Sequence, residues 1–196
     1  MAKRKLKKVP RLLKTTGAAD RLSKALAKCT KAELIDALVE LARTDRGLMR
    51  RLESRFDVEA SPDELVAATG SAINDATDFD ERDINHNFSY DYEAYSAVKR
   101  NFGRLIDLGH LRSAMELSLE LMSQGSYQVE VSDEGLMTDD IKECLHVVIK
   151  ALGTCDLPAD EVVAWCEGMV KRDRVGFVCD EELRSLQDQF KTSCSR

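Results

Sequence analysis

Proline and glycine are scarce in this chain. Across 196 residues there are three prolines (Pro10, Pro62 and Pro158) and ten glycines, too little turn punctuation for a protein built from many short strands. Apolar runs are short as well, and none approaches the ~18 residues that a membrane span needs. The charged N-terminus is followed by no apolar segment, so it does not read as a secretory signal. Six cysteines (Cys29, Cys144, Cys155, Cys166, Cys179 and Cys194) contain no C-x-x-C pair. That argues against a zinc site, and reduced cytoplasmic thiols acting as small buried hydrophobes are the expectation. Phosphate-cradling patterns, G-x-G-x-x-G and G-K-S/T, are also missing. What these absences leave is a soluble, helical chain.

Charge is abundant and unevenly placed. Residues 1–55 hold 16 Lys and Arg against 6 Asp and Glu, and the remaining residues hold 13 against 29. Such a split suggests either a basic arm for an anionic partner or self-complementary halves. The basic excess is densest in Lys3, Arg4, Lys5, Lys7, Lys8, Arg11 and Lys14, a stretch with no acid. Like-charge repulsion and few apolar groups argue against a packed element there. Removing residues 1–9 should therefore leave thermal stability nearly unchanged.

Helix signals follow one another from about Asp20 onward. Thr30 and Glu33 have the spacing of a capping box, and Leu34, Ile35, Leu38, Leu41 and Ala42 recur at helical spacing behind them. Asp45 is placed to cap a second helix, with Leu48, Met49, Leu52 and Phe56 inward and Arg46, Arg50, Arg51 and Arg55 on its polar face. The turn between them is short, so the pair should run antiparallel. If Leu38 and Leu52 are buried, each should cost about 2–5 kcal/mol as alanine, and deletion through Phe56 should strip an apolar hairpin from the core. "SPDEL" at residues 61–65 is a sharper start, with serine as cap, proline first and glutamate third. "DATDFDERDINHNFSYDYE" is acidic, aromatic and aperiodic and reads as a long loop.

Helices resume near Asp91, stop at Gly109, and restart through a segment ending at Gly125. "SYQVEVSDEGLM" reads as a polar connector. A third long helix spans Thr138 to Leu152, another opens at Pro158, and Asp180–Phe190 closes the chain. Starts near residues 91 and 139 each begin a helix pair, which suits a two-helix repeat. We divide the chain into a basic arm (1–16), a helical hairpin region (17–76), an acidic and aromatic loop (77–90) and a helix-pair array (91–196) packed with 17–76 as one unit.

Two blocks carry a resemblance. "LSKALAKCTKAELIDALVELARTDRGLMRRLESRF" resembles a helical segment of bacterial proteins that bear a SWIM-type zinc finger, and of their relatives. "SYDYEAYSAVKRNFGRLIDLGHLRSAMELSLELM" is similar to their next block, an aromatic-rich loop before a helix pair joined by L-x-x-G-H. The zinc finger itself, with its C-x-C and C-x-H ligand pairs, is absent here, so no metal, nucleic-acid role or functional residue is transferred. The resemblance implies a helical-repeat region of tetratricopeptide-like character. The fold expected is all-α, with antiparallel helix hairpins stacked as a short tetratricopeptide-like array or an irregular bundle.

Candidate chemistry is thin. Glu143 and His146 stand at i and i+3, as in carboxylate-bridged metal bundles, but the second such motif those sites need is lacking. Asp78, Asp80, Glu81 and Asp83 offer oxygen ligands, yet a calcium loop starting at Asp78 has Asp83 where glycine belongs and Ser89 where glutamate belongs. His86 has no nucleophile or oxyanion pattern to serve, and His110 suits the free carbonyls of a helix end. Phe88, Tyr90, Tyr92 and Tyr95 are either core plugs or exposed anchors. Trp165, at helical spacing with Val162 and Met169, reads as core. The arginine-bearing second helix is committed to packing, so a stack unit is favoured over a DNA reader.

No catalytic, cofactor-binding or metal residue is assigned. The reading is a non-enzymatic cytoplasmic protein–protein interaction module, with Arg46, Arg50, Arg51, Arg55, Phe88, Tyr90 and Tyr92 as partner-binding candidates. Two alternatives stand beside it. One is a nucleic-acid-associated regulator using residues 3–14, and the other is a metal-dependent hydrolase using the acidic loop.

Overall fold

Side-chain caps set where several helices begin. The Thr30 hydroxyl accepts from the Glu33 amide at 3.3 Å while the Glu33 carboxylate accepts from the Thr30 amide at 2.7 Å, closing the box at the start of α2. Ser61 and Glu64 repeat this geometry at 3.3 and 2.8 Å, with Pro62 opening α4. Asp45 accepts from the Leu48 amide at 2.9 Å and Asp91 from the Ala94 amide at 2.8 Å. Each such cap satisfies a donor that the helix leaves unpaired.

The computed structural model describes residues 17–56, 60–87 and 89–193, with backbone alone at 17, 18, 54–56, 81, 83, 192 and 193. Among the described residues the regular structure is ten α-helices and no strand. The protein is all-α. The basic arm lies outside the described residues.

The chain divides into two units, residues 1–52 and 53–196. The described part of the first holds α1 (Gly17–Leu26), α2 (Lys31–Thr44) and the start of α3 (Arg46–Phe56). Here the structure corrects an expectation. Of the α2 stripe only Ala42 is buried, Leu34 is half-buried, and Ile35, Leu38 and Leu41 are 43–57% exposed. Leu52 is half-buried. Periodicity reports which face is apolar, but a segment this short has too few residues to cover every apolar face it presents. The hairpin does not supply the core.

The second unit holds α4 (Pro62–Thr77), α5 (Glu81–His86), α6 (Tyr92–Asp107), α7 (Leu111–Val131), α8 (Thr138–Leu152), α9 (Ala159–Arg172) and α10 (Asp180–Ser193). Its helices stack in order. α4 packs on α6 and α7, α6 packs on α8, α7 packs on α8 and α9, and α10 closes the far end against α9 and α8. The starts of α6 and α8 (92 and 138) are 46 residues apart, and those of α7 and α9 (111 and 159) are 48 apart. Side-chain bonds follow the same offset. The Cys144 thiol donates to the Tyr95 carbonyl 49 residues back, and the Trp165 indole donates to the Met115 carbonyl 50 residues back. One helix pair thus lies on the next in nearly equivalent register.

Two further readings are revised. α7 runs through Gly125 to Val131, so the expected stop and the first half of the polar connector (126–131) are part of the helix, while residues 132–137 form the connection to α8. The glycine serves close packing instead: a Cβ built there would lie 2.9 Å from Ile141 Cδ1 of α8. The 77–90 loop contains the short helix α5, opened by Asp80 accepting from the Arg82 amide at 2.8 Å and anchored by buried Ile84. Asn85 ties it to the end of α7, donating to the Val131 carbonyl at 3.3 Å and accepting from the Asp133 amide at 2.9 Å. Gly109, at φ 82°, ends α6 as expected.

The core at the centre of this stack is continuous. Its buried members run from Leu65 to Leu186, with none from the first unit. Tyr95 and Phe102 are its largest fully buried side chains. A chain beginning at Glu53 should therefore melt cooperatively within about 4 °C of the full chain, the shift that ~1 kcal/mol gives at this size. Leu38→Ala should stay within about 0.5 kcal/mol of wild type, whereas Phe102→Ala should cost about 3–5 kcal/mol. Denaturant melts of the variants check both.

Candidate functional site

The residues singled out in the sequence differ in burial and in partners. Tyr95 is buried, and its hydroxyl donates to Gln128 Oε1 at 2.5 Å. Tyr90 is half-buried and donates to Asp140 at 2.7 Å; partial burial, then that bond, push its phenol up to about 12. Tyr92 is exposed. Phe88 and the side chain of Arg55 lie outside the described residues, as do the side chains of Glu81 and Asp83. Arg46 and Arg51 are exposed and Arg50 is half-buried. Asp80 spends its carboxylate on capping, and His86 and His110 are exposed. Trp165, Val162 and Met169 are core.

Glu143 and His146 do not converge. Glu143 pairs with Lys99 of α6 at 2.8 Å, a bond that lowers the glutamate's pKa and raises the lysine's. His146 turns the other way, to Glu182 of α10, at 3.0 Å between Nε2 and Oε1. Glu182 is held below the usual carboxylate value by its own backbone amide first and by His146 after that.

A third group joins this contact. The Cys179 thiol, immediately before α10, lies with the His146 and Glu182 ligand atoms so that all are within 4.8 Å of one another. The preceding turn fixes its place. Asp173 accepts from the amides of Val175, Gly176 and Val178 at 3.1, 3.0 and 2.9 Å. This fold of the backbone sets Val178 and Cys179 into the core. Beside the group an open cleft of about 360 Å³ runs between α8 and α10, lined by Ile149, Gly153, Glu182, Leu186 and Gln189 among others. Sequence reasoning missed this cluster because His146 sits on α8 while Cys179 and Glu182 lie at the start of α10; the only local trace is the i, i+3 spacing of Cys179 and Glu182.

The three side chains resemble a thiol–imidazole–carboxylate nucleophile only in composition. Cys179 is buried, and burial pushes its thiol up to about 12, the reverse of the depressed value a nucleophile needs. A ligand set for a metal fits these groups better than a catalytic triad does.

The first unit presents a different feature. Leu22, Leu26, Ile35, Leu38, Val39 and Leu41 are all 41–59% exposed. Half of the large exposed hydrophobics of the described protein therefore fall on two neighbouring helices. Scattered apolar residues are normal at a surface; here six fall within residues 22–41.

Burial also orders the thiols. Cys29 is exposed, while Cys144, Cys166 and Cys179 are buried and pushed up to about 12, 11 and 12, chiefly by burial. In the native protein an alkylating reagent at neutral pH should label Cys29 fast and these three only on unfolding, as peptide mass spectrometry would show. Comparison of the chain with protein-family models, with curated proteins and with solved structures gives no match.

Proposed function

We propose that this protein is a non-enzymatic interaction module whose docking face is carried by α1 and α2. The observation that carries this reading is the run of exposed aliphatics from Leu22 to Leu41. Ile35, Leu38 and Val39, all exposed, recur at i, i+3 and i+4 along α2, a spacing that can receive the apolar stripe of a partner helix. The favoured occupant is an amphipathic helix with acidic flanks. Residues 17–52 hold eight Lys and Arg against five Asp and Glu, and residues 3–14 add seven cations. Apolar burial would supply affinity, and the basic excess would speed encounter and select against basic partners. The second unit, with its closed core, serves as the scaffold. The tetratricopeptide-like character implied by the sequence resemblance and the 46–48-residue recurrence of helix pairs both support a scaffold of this kind.

The test compares the wild-type chain with Leu38→Asp and Leu41→Asp, both at exposed positions. Affinity capture from source lysate, quantified by mass spectrometry, should retain a defined protein on the wild type. Both variants should lose it with unchanged helix content by circular dichroism, and rising salt should weaken it. Retention of the same proteins by both variants would overturn the reading. A doubled mass for the wild type alone in light scattering would replace the foreign helix with a second copy of this chain. Tight DNA or RNA binding that falls steeply with salt and vanishes without residues 1–16 would point to the basic arm instead.

A further inference from the structure

We propose that His146, Cys179 and Glu182 form a binding site for one zinc ion, closing the end of the helix stack between α8 and α10. The inference is independent of the docking face, since it concerns other helices and another unit of the chain.

Geometry comes first. Zinc binds sulfur at about 2.3 Å and nitrogen or oxygen at about 2.0–2.2 Å in a tetrahedron, which places ligand atoms roughly 3.5 Å apart. Here the imidazole Nε2 and carboxylate Oε1 are 3.0 Å apart, and the thiol sulfur lies within 4.8 Å of both. Small side-chain rotations would bring the three to bonding distance around one ion. The His146 and Glu182 side chains are 45% and 43% exposed, so an ion can enter from solvent while the sulfur anchors it from the buried side. The fourth position faces water.

Donor chemistry selects the metal. One thiolate, one imidazole and one carboxylate suit zinc and related transition ions, whereas magnesium and calcium require oxygen ligands throughout. Charge also balances: a divalent ion with one thiolate and one carboxylate is neutral. Loading would transfer the Cys179 proton to water or buffer and form the metal–sulfur bond. No electron moves and no other reactant is required.

The surroundings are mixed. Lys142, one turn before His146 on α8, opposes a cation, but its ammonium lies over the Phe177 ring, 6.0 Å from the centroid. The same ammonium favours the thiolate of Cys179 and the carboxylate of Glu182, the forms that bind a metal. Asp173 favours the ion electrostatically, although its oxygens already accept from three amides. Its oxygens are thus committed to the turn that carries Cys179, and it is not a fourth ligand. The turn it holds would resist the movement of Cys179 away from the metal.

The experiment uses the full chain, stripped by chelator and kept reduced, and cobalt(II) as a spectroscopic probe for zinc. One equivalent of cobalt should produce a thiolate-to-metal charge-transfer band together with the visible bands of tetrahedral cobalt. Zinc should bleach both at one equivalent. Cys179→Ser should abolish the charge-transfer band, His146→Ala should weaken binding at least tenfold, and Cys29→Ser should change nothing. Melting temperature with and without zinc supplies a second readout, rising for the wild type and not for Cys179→Ser. Absence of the charge-transfer band in the wild type would overturn the proposal. So would a band that survives Cys179→Ser with native helix content.

Discussion

A single buried amide sits where three helices of the second unit meet. Gln128 of α7 is fully buried. Its oxygen accepts from the Tyr95 hydroxyl of α6, and its nitrogen donates to the Ala76 carbonyl of α4 at 3.2 Å. In a low-dielectric interior an unpaired amide is expensive, so all three helices must arrive in one register for the chain of bonds to close. The hydrophobic contacts around it would tolerate a slide of one residue far better than this network would. Thr77 repeats the device nearer the surface, donating to Gln124 at 2.6 Å. Polar groups thus specify an arrangement that apolar burial stabilises.

From that register the remainder of the stack follows. Gly125, one turn before Val129 on α7, lets α8 approach until Ile141 occupies the space a side chain would take. On the next level Gly168 of α9 faces Leu119 of α7, where an added Cβ would lie 3.2 Å from the leucine methyl. Trp165 fills the space between, donating to Met115 and Ser118 at 3.1 and 3.2 Å. Surface ion pairs repeat the spacing, as in the two bonds from Arg112 to Glu161 at 2.7 and 2.9 Å; exposed pairs of this kind add little stability. α10 ends the series, and its first turn brings Cys179 and Glu182 to His146. The cluster is thus a product of the stack's termination. The first unit contributes none of the buried members of this core, and six of its large aliphatic side chains are exposed.

Much of the fold was legible in the sequence because helix starts are written locally. Thr30 with Glu33, and Ser61 with Pro62 and Glu64, announce themselves within four residues. The recurrence of helix pairs near residues 91 and 139 was visible too, since each pair carries its own apolar stripe. Gly125 misled because a glycine that ends a helix and one that admits a neighbouring helix look alike until the neighbour is known. The α2 stripe misled for a related reason: amphipathicity reveals an apolar face and is silent about what covers it. α5 escaped notice because one turn has no period to detect. The His146, Cys179 and Glu182 cluster was out of reach, being assembled by the packing of α10 on α8. No spacing rule spans that distance.

The central claim is that one closed core, keyed by Gln128, carries the stability of this protein while α1 and α2 contribute none of its buried members. Native-state hydrogen exchange, resolved by peptide and followed across denaturant, tests this most directly. The account predicts that amides of α6, α7 and α8 exchange only through global unfolding and share one free energy of opening. Those of α1 and α2 should exchange by local opening at a much lower free energy. In Gln128→Ala the global free energy should fall while that of α1 and α2 stays unchanged. Equal protection of α2 and α7, or loss of α2 protection in step with α7 in the variant, would contradict the account.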